Sequence, residues 1–79
     1  MARTTFPDDL LLTQIHVIRT YAALAALPPT AGATALRRRL IQELRCLYAH
    51  PYWSEPGHSS ASLVELRRQA RRLAWTVAA

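Results

Sequence analysis

The chain has no lysine. All ten of its basic side chains are arginines. Arginine makes bidentate contacts with carboxylate and phosphate and stacks on aromatic rings, which lysine does poorly. A GC-rich coding bias yields the same excess, but it does not explain where the arginines cluster. Cysteine is nearly absent too: Cys46 stands alone, which excludes an internal disulfide and fits a reducing interior. Only five side chains are acidic, so paired carboxylates for acid–base chemistry are scarce. No apolar run approaches the ~18 residues of a membrane span, and no secretory signal is visible. The expectation is a soluble, cytoplasmic protein. Glycine is limited to two residues, and the five prolines (Pro7, Pro28, Pro29, Pro51 and Pro56) fall between periodic segments rather than inside them.

What remains is a short, apolar, helix-prone chain. Its 79 residues suit one small domain, 1–79, with residues 1–5 as a flexible N-terminal tail. Hydrophobic residues make up 51%, enough to argue against disorder. Alanine and leucine dominate them, which favours helix. The periodicity predicts an all-α, up-down-up three-helix bundle with helices at about 8–27, 34–49 and 62–77.

Thr5-Phe6-Pro7-Asp8 reads as the start of helix one, with Thr5 as N-cap and Asp8 and Asp9 complementing the dipole. Pro28-Pro29 ends it. Leu10, Leu11, Ile15, Val17, Ile18, Tyr21, Ala22, Leu24 and Ala25 give it an apolar arc about half the circumference wide, with Leu12 and Leu27 outside. Such a helix needs cover on two sides, either from two neighbours or from one neighbour and a second copy. Helix two, capped by Thr30 or Thr34, turns Leu36, Leu40, Ile41, Leu44, Leu47 and Tyr48 inward and Arg38, Arg39, Gln42, Arg45 and Cys46 outward. Ser62 to Glu65 reads as a capping box opening helix three. The loop before it carries Tyr52 and Trp53, expected as a lid over one end of the core.

Net charge is +5, and it is unevenly placed. Helices two and three carry four arginines each against a single glutamate each, whereas helix one has a small acidic excess. At ~100° per residue, helix three sorts into two faces. Leu63, Leu66, Ala70, Leu73, Ala74 and Val77 form a core seam. Val64, Arg68, Arg71 and Trp75 form a stripe on the far side, flanked by Arg67 and Arg72. Tryptophan and arginine are the residues most enriched at protein hot spots. The same arginines, with Trp75 as a stacking platform, also suit nucleic-acid phosphates. The bland alternative is a solvated arginine face with Trp75 folded beneath it.

Arg37-Arg38-Arg39 would open helix two, against its dipole, as an anion or acidic partner would require. Cys46 and His50 share a helical face and His58 follows in the loop. That trio lacks a CxxC pair and a carboxylate at ligand spacing, so no metal and no cofactor is expected. The serines and histidines form no nucleophile–base–acid set, so no catalytic residue is assigned and no enzyme is expected. A helix-turn-helix would need a turn of three or four residues, which neither connection supplies.

The sequence therefore points to a non-enzymatic interaction module, self-associating or a small subunit or adaptor. Its contact face comprises Val64, Arg67, Arg68, Arg71, Arg72 and Trp75, extended by Tyr52 and Trp53. The alternative is a basic nucleic-acid-binding protein adding Arg37, Arg38, Arg39 and Arg45. No small-molecule substrate is implied.

Overall fold

The computed structural model describes residues 5–58 and 60–75. Helix α1 (Asp8–Ala26) is followed by α2 (Thr34–Tyr48), a short 3₁₀ turn (Pro51–Ser54) and α3 (Ser60–Ala74). There is no strand among the described residues, and the architecture is a small all-α three-helix bundle. Residues 1–4 of the expected tail at 1–5 and the expected core position Val77 lie outside the described residues.

The helix starts differ from the sequence expectations in their chemistry. Pro7, not Thr5, holds the N-cap position of α1, and no side chain caps it. Proline's fixed φ and absent N–H suit that boundary. Asp9 takes over part of the capping task, because its carboxylate accepts the Leu10 N–H at 2.9 Å. Neither Thr30 nor Thr34 caps α2. Ala33 stands at its N-cap without a side-chain hydrogen bond, and Thr34 is already inside the helix. The arginine triplet consequently starts at the fourth helical residue, past most of the N-terminal partial charge. Arg39 further relieves the conflict by pairing with Glu43 at 3.4 Å, one turn on. Helix α3 begins at Ser60, so the Ser62–Glu65 capping box does not form. Glu65 instead meets Arg68 at 3.3 Å and Gln69 at 3.4 Å. Gly57, at φ 90°, makes the left-handed turn that precedes this helix.

Helix α1 is the centre of the fold. Helices α2 and α3 both pack along α1 rather than along each other. The wide apolar arc of α1 is thus covered in part by two neighbours within the chain. The main core cluster joins Phe6, Leu10, Val17, Leu47, Tyr52 and Leu66 at one end of the bundle. Leu10 and Leu66 are fully buried, and Leu47 nearly so. A second cluster sets Ile15 of α1 against Ala70 and Ala74 of α3. These alanines let the two backbones approach closely. Arg19 ties the same seam, donating through Nε to the Ala74 carbonyl at 3.0 Å, where a cation favours a helix C-terminus. Thr20 Oγ1 donates to Glu43 at 2.6 Å and links α1 to α2 on the opposite flank.

Five residues expected inside are exposed: Tyr21, Ala25, Ile41, Tyr48 and Leu73. Placing α2 and α3 on opposite flanks of α1 leaves part of each apolar arc uncovered. Leu27, expected outside the arc, is half-buried.

Large-to-small change in the shared cluster is costly because cavity formation adds to lost burial. Leu10→Ala and Leu66→Ala should each lose about 2–5 kcal/mol, whereas Leu12→Ala on the exposed side of α1 should stay within about 0.5 kcal/mol. Urea unfolding followed by circular dichroism measures all three.

Candidate functional site

The aromatic loop closes one end of the bundle by a chain of contacts. Tyr52 is buried, its ring 5.4 Å from Phe6 and 5.0 Å, edge-on, from Trp53. The His58 ring stacks on Tyr52 at 3.7 Å, and His58 Nδ1 donates to the Tyr52 carbonyl. Trp53 Nε1 donates to the Leu47 carbonyl at 2.8 Å, satisfying an end group of α2. Tyr52 and Trp53 therefore form the lid, but Tyr52 has almost no surface left for a partner.

His50 fixes the same loop. Its Nδ1 accepts the Tyr52 N–H at 3.1 Å, so Nε2 carries the proton and donates to Asp9 at 3.0 Å. It caps the 3₁₀ turn, not the last carbonyls of α2. The hydrogen bond from His50 holds the Asp9 carboxyl below its ordinary range. Cys46 is exposed, while His50 and His58 are engaged as above. Among the described residues, no three His, Cys, Asp or Glu side chains gather where a metal could be held.

Helix α3 presents its far stripe to solvent. Val64 is 52% and Trp75 64% exposed, and Arg68 and Arg71 are exposed between them. Arg72 is also exposed. Arg68 bridges to Glu65, an exposed pair worth little energy. Arg67 behaves differently. It is half-buried and, from its place beside the stripe, reaches towards α2, where Nη2 lies 3.4 Å from the Tyr48 hydroxyl. On α2, Arg37, Arg38, Arg39 and Arg45 are exposed.

Arg67 leads to a feature the sequence reading missed. Between α2 and α3, above α1, lies a cavity of about 290 Å³ lined by Gln14, Val17, Ile18, Tyr21, Leu44, Leu47, Tyr48, Arg67 and Arg71. Gln14 is 3% exposed, and its Oε1 has no hydrogen-bond partner. An unpartnered buried amide oxygen is costly and unusual. The clue was present in the sequence: Gln14 stands inside the apolar arc of α1, between Leu10 and Ile18 in angle.

These features define a small helical bundle with exposed apolar and cationic surfaces. A domain family of unknown function, DUF8825, matches residues 9–69, and the chain belongs to that family. The matched span contains Gln14, Tyr48 and Arg67 and stops short of Arg71 and Trp75. No curated protein and no solved structure matches the chain. Among the described residues, no helix is long and apolar enough to cross a membrane.

The lowered pKa of Asp9 fixes the sign of one pH effect. A carboxyl that ionises more readily when folded stabilises the fold above its unfolded pKa, and that stabilisation fades as pH falls through the lowered folded value. Asp9→Asn should therefore flatten this acidic portion of the stability profile. Urea midpoints across the acid range check it, and identical acid limbs would mean that the His50 contact contributes nothing.

Proposed function

We propose that the chain is a non-enzymatic protein-interaction module, a small subunit or adaptor that docks on another protein. The supporting observation is that each helix leaves large hydrophobic side chains in solvent: Leu12 and Tyr21 on α1, Ile41 and Tyr48 on α2, Val64 and Leu73 on α3, and Trp75 just beyond it. Small monomers rarely leave so much apolar surface without a contact to make. The stripe Val64–Arg68–Arg71–Trp75 supplies the hot-spot chemistry, with a large aromatic ring set among guanidinium groups.

Self-association through this stripe would face arginines against arginines across a two-fold axis. A different protein avoids that repulsion, which favours heterologous docking over a homo-oligomer. The arginine faces also suit a nucleic-acid backbone, and the two readings respond oppositely to salt. Phosphate binding weakens steeply with salt and loses affinity in small steps as arginines are removed. A hot spot collapses on removal of its aromatic anchor.

Light scattering at low and high salt, with and without a random-sequence duplex, separates the two. The expected result is a molar mass that the duplex does not change. A complex that forms with duplex at low salt and dissolves at high salt would overturn the reading. For a partner identified by co-purification, Trp75→Ala should weaken binding by ~2 kcal/mol or more at moderate salt, and an unchanged affinity would remove the stripe from the interface.

A further inference from the structure

We propose that the trough between α2 and α3, floored by α1 at Gln14, seats an acidic amphipathic helix from another protein. This proposal rests on the interaction-module reading but names a second surface and the chemistry of its occupant.

The shape comes first. The central cavity adjoins a hollow at Pro28, Pro29 and Arg37 through the shared residue Tyr21. At its other end it adjoins a hollow at Trp53, His58 and Leu63 through Tyr48. The central cavity and the Pro28 hollow follow α1, and the Trp53 hollow continues past Tyr48 between the end of α2 and the start of α3. The 19 residues of α1 span ~28 Å. An elongated occupant suits that run better than a compact small molecule. A helix laid there would become the fourth member of a four-helix arrangement and cover the exposed Tyr21 and Tyr48.

The charge comes second. Arg67 and Arg71 stand on the α3 wall one turn apart, Arg37 stands at the Pro28 end, and Arg45 stands on the α2 rim beside Ile41 and Tyr48. No acidic residue lines any of these hollows. Glu43 is turned to the other side, where it meets Thr20 and Arg39. The central cavity is thus largely apolar along α1 and α2 and cationic along its α3 wall, with Arg37 and Arg45 at the neighbouring hollows. That selects an occupant with an apolar face flanked by carboxylates, which arginine grips in bidentate fashion. A second copy of this chain fits poorly, because α2 and α3 each carry four arginines against one glutamate.

Gln14 supplies the third constraint. Gln14 lines the cavity, and its buried oxygen lacks a donor. A helix has no backbone N–H to spare in its interior. The donor is therefore a side chain, such as a threonine or serine hydroxyl, set in the middle of the partner's apolar face. A single buried polar pairing of this kind fixes register along a featureless seam.

The test uses the full chain, isotopically labelled and followed by two-dimensional NMR. The probes are two synthetic helical peptides about five turns long. They share one leucine face with a central threonine, and differ in carrying glutamate or lysine on its flanks. The glutamate peptide should saturate and shift the Gln14 side-chain amide, Tyr21, Tyr48 and Arg67. The lysine peptide should bind at least about tenfold more weakly. Arg67→Glu should abolish that preference. Gln14→Leu should separate binding from folding, weakening the glutamate peptide about tenfold while raising Tm by about 4–8 °C, because a buried unsatisfied acceptor is removed. A Gln14→Leu chain that melts lower would make Gln14 a structural residue and overturn the proposal. So would equal binding of both peptides, no binding of either, or groove shifts that appear when the chain alone is concentrated. Shifts confined to Val64, Arg68 and Trp75 would overturn the trough and leave the α3 stripe standing. A salt-reversible duplex complex with no response to either peptide would remove both.

Discussion

Leu10 sits where the pieces of the fold meet. Its side chain is fully buried in a cluster that draws on the segment before α1, the end of α2, the 3₁₀ turn and α3. Burying one such leucine gives about 1.5–3 kcal/mol. Nine hydrophobic residues are buried among the described positions, so each carries a large share of a small total. The aromatic lid exists to keep this cluster dry. Tyr52 fills the gap, and His58, Phe6 and Trp53 hold it from three sides. His50, bonded to both Asp9 and the Tyr52 amide, fixes the loop that delivers it.

The two flanks of α1 have been given different chemistry. On one, Thr20, Glu43 and Arg39 form a closed polar relay between α1 and α2. Next to α3, Ile15 meets two alanines and Arg19 clasps the helix end. Between these seams lies the trough, where the polar groups are arginines, two tyrosines and the Gln14 amide, whose oxygen has no partner. Asp9, Glu43 and Glu65 are held in internal pairings, and the exposed arginines of α2 and α3 define most of the outer field. The uneven charge of the chain is therefore a division of labour between holding the fold and presenting a surface.

The number, order and approximate span of the helices were legible because hydrophobic spacing along the chain is strong. The leucines that matter most, Leu10, Leu47 and Leu66, all fell on expected core faces. Helix starts were harder to read. Thr5, Thr34 and Ser62 all have the right chemistry for a cap, yet a proline, an alanine and an earlier start displaced them, since tertiary packing decides where the first turn forms. The exposure of Tyr21, Ile41 and Tyr48 was hidden for a related reason. Periodicity shows that a face is apolar, but not whether a neighbour covers it. Gln14 was readable in principle, as the polar residue inside an apolar arc. Its meaning depended on Arg67 reaching across to Tyr48, which a helical projection cannot show.

Because α2 and α3 each pack along α1 and not along each other, the chain behaves as two helix pairs sharing a member. Apart from the closed end and the Arg67–Tyr48 contact, substitutions in α2 and α3 meet chiefly through α1, and effects at separated sites combine additively. Compensation has to pass through α1, where Ile15 and Ile18 adjust to α3 and Val17 and Thr20 adjust to α2. Within the family, paired changes should therefore link α1 to each flank and seldom link the flanks. The lid around Tyr52 is the exception, since there all the elements answer to one another.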